Sequence, residues 1–186
     1  MPHKNLLSVQ NSILMVVDIQ TALQNHIADM NRVLDRTAVM IQAANLLSVP
    51  IIVTEQYPKG LGRTAEPLRN LLGDCEYHDK VAFSCLQDQN ISDRLRQTSR
   101  EQILLVGIET HVCILQTAYD ALDLGLQPYL VVDALGSRRD IDKQTAIDRL
   151  RDAGAIVTTT ESAILEMATS SKHSAFRQIS KLLKSE

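Results

Sequence analysis

The chain has 186 residues, 45% of them apolar and 22% charged, with a formal net charge of −3. The apolar fraction excludes a disordered chain, and the mildly acidic balance argues against a dedicated nucleic-acid binder, whose electrostatic footprint is a basic surface. Aromatics are scarce (four Tyr, two Phe, no Trp), so the core must be aliphatic and no stacking platform for bases or sugars is expected.

Seven Gly and five Pro are too few for a loop-rich all-β fold, and the length suits one domain spanning residues 1–186. Met1–Gln10 has no apolar signal-peptide core, and the longest apolar runs, such as Ile13–Val17, are too short to span a bilayer. Cys75, Cys85 and Cys113 form no paired or metal-like spacing. Together these features predict a cytoplasmic protein with reduced thiols and no membrane partner.

In chain order, Ile13–Asp18 reads as a buried strand and Val33–Leu47 as an amphipathic helix. Ile51–Thr54 and the weaker Tyr77–Ala82 follow as strands, then Ile91–Gln97 as a helix. The alternation continues with strand Ile103–Gly107, helix Thr110–Leu124, strand Tyr129–Asp133, helix Asp140–Ala153 and strand Ala155–Thr159. Six continuously apolar strands alternating with helices predict a parallel sheet covered on both faces, an α/β sandwich. Two more helices, Glu161–Ala168 and His173–Leu183, close the chain. The second gathers Phe176, Ile179, Leu182 and Leu183 on one face, so the 161–184 segment is expected to pack on its own domain or on a neighbouring subunit.

Gly60–Ala65 (GLGRTA) matches a dinucleotide-binding fingerprint in letters only. That motif requires a strand running directly into the glycine turn and a helix after it, at the first strand of the fold. Here Gln56–Lys59 intervenes, Pro67 falls inside the would-be helix, and the strand is the second. The segment is read as a rim loop, and no NAD or other cofactor is expected.

In an open α/β sheet, chemistry sits outside the carboxyl ends of the strands. Asp18 ends the first strand, Lys80 lies on the third, and Cys113 falls in the first turn of the helix that follows the fourth. A thiol at a helix N-terminus is biased toward thiolate, a nearby ammonium adds to that bias, and a carboxylate can take the proton. An isolated Cys is commonly a small hydrophobe, and it is the convergence of the three groups that raises a site reading. Cys75 and Cys85 are read as structural. His111 lies two positions before Cys113, about 200° away around a helix, so it suits the pocket rim better than a direct base. His26, His78 and His173 make no zinc-ligand pair, and no metal is expected.

VVDIQ (Val16–Gln20), DKVAFS (Asp79–Ser84) and GIETHVCILQTAYDAL (Gly107–Leu122) resemble the isochorismatase-like cysteine hydrolases. VTEQYPKGLGRT (Val53–Thr64) and TTTES (Thr158–Ser162) extend the resemblance over nearly the whole chain, toward the isochorismatase-domain-containing subgroup. The resemblance implies strand order 3-2-1-4-5-6, a homo-oligomer, and a triad of Asp18, Lys80 and Cys113. It also implies a cis peptide at Ile108–Glu109, with the backbone N–H groups of Glu109 and Cys113 as an oxyanion hole. Two departures narrow the chemistry. Thr54-Glu55-Gln56-Tyr57 lacks the metal-ligand set of nicotinamidases, and isochorismatases that cleave a vinyl ether do not use the cysteine. Leu23 replaces an aromatic common in the family, leaving Gln20, Leu23, Gln56, Tyr57, Phe83 and His111 as expected pocket residues. The resulting expectation is a metal-independent cysteine hydrolase of a small amide or related C–N substrate. The alternatives are a low-turnover interaction or regulatory protein on the same fold, and a thiol redox sensor.

Overall fold

In the computed structural model, residues 3–184 are described. Six strands form one sheet in the order β3-β2-β1-β4-β5-β6, every pair parallel. They are β1 (Ser12–Val17), β2 (Ile51–Gln56), β3 (Tyr77–Lys80), β4 (Gln102–Ile108), β5 (Gln127–Gly136) and β6 (Ile156–Thr158). The fold class is that expected from the residues, and the strand order is that implied by the family resemblance.

Strand side chains alternate between faces, and the aliphatic sequence exploits both. Leu14, Val16, Leu104, Val106 and Tyr129 face a layer containing α1 (Met30–Leu47), α3 (Glu66–Leu72), α7 (Thr160–Ala168) and α8 (Phe176–Leu183). Ile13, Met15, Val17, Ile103 and Leu105 face α4 (Gln89–Thr98), α5 (Leu115–Asp123) and α6 (Asp140–Asp152). Tyr129 is the one aromatic among the largest fully buried side chains, and its hydroxyl donates to the Asn5 carbonyl at 3.0 Å. In α8, Ile179 is fully buried in the cluster with α1 and α7, so this helix packs against its own chain. Among the described residues no helix is long and apolar enough to cross a membrane.

Two local differences from the sequence reading position the site. A short helix, α2 (Pro58–Leu61), and the Gly60–Ala65 loop follow β2 as a rim segment, but α3 begins at Glu66 despite Pro67. Pro67 lies in the first turn, where a missing N–H is harmless. The loop is bolted down by the buried Glu55 carboxylate, which accepts from Thr64 N (2.7 Å), Thr64 Oγ1 (2.8 Å) and Arg63 Nη1 (2.8 Å). Burial works against that charge, yet these hydrogen bonds more than offset it and hold the Glu55 carboxyl below its ordinary range.

The second difference is that β5 does not stop at Asp133. Its register against β4 slips from Leu105↔Leu130 to Gly107↔Leu135, so the extra residues bulge out and the strand resumes as far as Gly136. The bulge exposes backbone carbonyls that need donors. Lys143 Nζ donates to Val132 O at 2.9 Å, and Arg32 donates to Asp133 O. Burial lowers the Lys143 pKa to about 8. The Asp133 carboxylate itself accepts from Thr160 N (2.9 Å) at the start of α7, a structural task far from chemistry.

Candidate active site

Asp18, Lys80 and Cys113 meet at the carboxyl edge of β1, β3 and β4, where the sheet order reverses direction. Lys80 Nζ lies 2.6 Å from Asp18 Oδ2 and 3.6 Å from Cys113 Sγ. All three residues are buried, with Asp18 1%, Lys80 2% and Cys113 6% exposed. Asp18 terminates β1 in a left-handed conformation, φ 53°, which turns the chain out of the sheet. Its Oδ1 accepts from Thr54 Oγ1 at 2.7 Å. Apart from the ion pair, Oδ2 has no hydrogen-bond partner. The Lys80 ammonium further donates to Gln56 Oε1 (2.7 Å), Phe83 O (3.1 Å) and Ala82 O (3.3 Å).

Cys113 sits in a π-helical turn, Thr110–Ile114, that precedes α5. The peptide before it, Ile108–Glu109, is cis, as the resemblance implied. The thiol differs from the sequence expectation. Burial first, and the Asp18 charge next, push its pKa far up, and the Lys80 ammonium offsets only part of this. Burial and the neighbouring carboxylate thus favour the thiol over the thiolate, and the helix-end bias toward thiolate loses to desolvation. Lys80 feels the reverse balance. Burial disfavours its charge, but the Asp18 carboxylate and the sulfur atoms raise its pKa above the usual lysine range. It follows that alkylation of Cys113 by iodoacetamide should be slow at neutral pH and still climbing above pH 9, the ordinary thiol value. A rate plateau reached below pH 8, followed by peptide mapping of Cys113, would contradict this balance.

The expected pocket residues separate into two groups. Gln20 is fully buried and its amide is committed to backbone: Nε2 donates to Gln56 O (3.0 Å) and Gly62 O (2.7 Å), and Oε1 accepts from Gln56 N (2.7 Å). Gln56 is likewise occupied, between Lys80 and Val81 O (2.7 Å). These two hold the frame of the site and do not offer free amides to a substrate. Tyr57 and Phe83 are more than half exposed, beside Val81. Leu23 lines a cavity of about 350 Å³ with His26, Ile27, Glu109 and Arg138. His111 stands at the rim with Nδ1 3.1 Å from Ser137 Oγ.

The structure adds residues not singled out from the sequence. Thr54 orients Asp18, and Cys85 Sγ lies 3.8 Å from Thr54 Oγ1 with its pKa pushed up by burial to about 11. A hydroxyl closing the apolar run Ile51–Val53, directly beside the end of β1, was the available signal for Thr54. Thr54→Val should therefore keep the fold while slowing acylation of Cys113 by about tenfold, a loss near one hydrogen bond to a charged group. Burst kinetics with p-nitrophenyl acetate measure it, and an unchanged rate would show that Asp18 needs no such support.

A parallel α/β sandwich with a buried carboxylate, ammonium and thiol at one strand edge is the frame of an isochorismatase-type protein. An isochorismatase domain model matches residues 12–162, and the chain belongs to the isochorismatase family. Isochorismatase family protein 1A of Dictyostelium discoideum is 39% identical over 178 residues, 93% of this chain and 86% of the relative. Among solved structures, the MAR1 ribonuclease of Caenorhabditis elegans is 40% identical with a TM-score of 0.91, covering 97% of this chain and 93% of its own. The YcaC gene product of Escherichia coli, described as an octameric hydrolase of unknown specificity, shares the fold at 20% identity and a TM-score of 0.91, over 98% and 91% of the two chains.

Proposed function

We propose that this isochorismatase-family protein hydrolyses a small amide or related C–N substrate through a thioester on Cys113. The observation that carries the reading is one buried ammonium, Lys80, contacting both the carboxylate of Asp18 and the sulfur of Cys113. In this scheme Asp18 takes the thiol proton as Sγ bonds to the carbonyl carbon, and Lys80 stabilises the sulfur as its charge develops. The backbone N–H groups of Glu109 and Cys113 stabilise the oxyanion. Collapse breaks the C–N bond, and Asp18 returns its proton to the leaving nitrogen. Water then attacks the thioester, gives a proton to Asp18 and releases a carboxylic acid. The regenerated thiolate regains that proton.

Small aliphatic amides are favoured over flat heteroaromatics in this reading, since Leu23, which lines a cavity with His26, Ile27, Glu109 and Arg138, stands where the family often has a ring, and Tyr57 and Phe83 are more than half exposed. No metal or organic cofactor enters the scheme. A reducing, cytoplasmic setting suits three free thiols, and a homo-oligomer is part of the same reading. The test is a panel of small amides with mass spectrometry of the protein. The expected result is an acyl adduct on Cys113 and turnover lost in Cys113→Ala. Turnover surviving in that variant would sink the covalent scheme. The name of the 40%-identical neighbour makes RNA the natural counter-substrate. The net charge of −3 and the scarcity of aromatics weigh against RNA, and cleavage of RNA by wild type but not by Cys113→Ala would replace the amide reading.

A further inference from the structure

We propose that Arg138 is a positioning residue that holds the oxyanion donors of Glu109 and Cys113 in place; the inference rests on the thioester reading above. The support is a set of side-chain bonds between two short segments. Arg138 binds the Glu109 carboxylate through three N–H groups: its backbone N (3.1 Å) and Nε (3.0 Å) donate to Oε2, and Nη2 (2.7 Å) donates to Oε1. The next two residues are bonded to the same strap. Thr110 Oγ1 donates to Gly136 O at 2.9 Å, and His111 Nδ1 pairs with Ser137 Oγ at 3.1 Å. Glu109, Thr110 and His111 are thus laced to Gly136, Ser137 and Arg138, and the strap is fixed in turn by Ala28 N donating to Ser137 O (3.1 Å).

The lacing matters because of what it holds. Glu109 caps the π-helical turn that contains Cys113, and the intervening Val112 N and the following Ile114 N both donate to Glu109 O. The direction of the remaining N–H groups depends on where Glu109 is anchored. Its carboxylate is nearly buried, whereas the Arg138 side chain is 56% exposed and touches none of Asp18, Lys80 or Cys113. Burial opposes the Glu109 charge, but the Arg138 bonds keep its carboxyl below the ordinary range, so the clasp is ionised at neutral pH. The bidentate fork needs arginine, because an ammonium cannot match the plane of the carboxylate.

Two reactions of the same sulfur separate positioning of the oxyanion donors from general damage. Acylation by p-nitrophenyl acetate passes through a tetrahedral oxyanion, whereas alkylation by iodoacetamide displaces iodide at an sp³ carbon and needs no oxyanion donor. Arg138→Ala is expected to slow the acylation burst by about 10- to 100-fold while alkylation changes less than about twofold. Arg138→Lys should fall between, retaining charge without the fork. Should the alanine variant not fold, as judged by its thermal transition, Arg138→Lys and Glu109→Gln carry the same comparison. Equal losses in both reactions, or no loss in either, would overturn the proposal. Wild-type protein that is alkylated but never acylated at Cys113 would instead overturn the thioester reading, and this inference with it.

Discussion

Lys80→Met is expected to destabilise the fold by about 3–5 kcal/mol, because it leaves the Asp18 carboxylate buried without its counter-ion. The loss is not confined to one pair. Gln56 Oε1 and the carbonyls of Ala82 and Phe83, all partly buried, lose their donor at the same time, which adds to the cost. Methionine fills a similar volume, so the effect reports charge and hydrogen bonding and not a cavity. Acylation of Cys113 should fall by about a thousandfold, since both the base and the developing thiolate lose their partner. Urea unfolding of the single variants and of Asp18→Asn/Lys80→Met measures the coupling. The double variant should recover much of the stability and none of the activity. A double variant no more stable than the worse single one would show that the pair is not coupled. The pH dependence has a definite sign. The pKa of Lys80 is raised above its ordinary 10.5, so the stabilisation carried by its charge is undiminished as pH rises to that value. It is lost only as pH climbs through the higher folded-state value, and Lys80→Met should abolish that alkaline decline.

Gly107→Ala is the second large effect, expected to remove about 3 kcal/mol or more. An added Cβ would lie 2.1 Å from Val17 O and 2.9 Å from Val17 N, all rigid backbone, and Gly107 has φ 122°, a conformation that L side chains rarely adopt. Gly107 pairs in register with Val17, the residue before Asp18, so any relief of the clash moves the base relative to Lys80. Both chemical denaturation and the acylation burst should therefore change. Gly125→Ala is the internal control. Its φ is 76°, but a Cβ there meets nothing within 4 Å, so it should lose about 1 kcal/mol with no effect on acylation. Equal losses at the two glycines would mean that the contact between β1 and β4 does not shape the site.

Much of this architecture is legible in the residues. Runs such as Ile103–Gly107 read as buried parallel strands, and strand-end Asp18 and Lys80 mark a candidate site through their convergence with Cys113. Cys113 is harder. Its place in the chain suggests an activated thiolate, whereas its surroundings keep it protonated, because burial and a neighbouring carboxylate are three-dimensional facts with no signature in local spacing. Gln20 and Gln56 illustrate the same limit. They are polar residues at the right strand ends, yet the Gln20 amide is consumed by backbone groups 36 and 42 positions away in the chain, and the Gln56 amide by Val81 O and the Lys80 ammonium. The lacing by Gly136–Arg138 depends on the bulge in β5, and nothing in Tyr129–Asp133 signals that the strand resumes after it.

The ammonium of Lys80 also ties down the loop that follows β3. By drawing the carbonyls of Ala82 and Phe83 onto one cation, it fixes the course of a loop with almost no regular structure. Val81 and Phe83 present their side chains to solvent, 79% and 54% exposed, from a backbone hydrogen-bonded to Lys80. Ordering that segment is part of folding and not part of capture. A molecule docking against these side chains would meet an apolar surface whose backbone is already tied to Lys80, so less of its binding energy would go into ordering the loop.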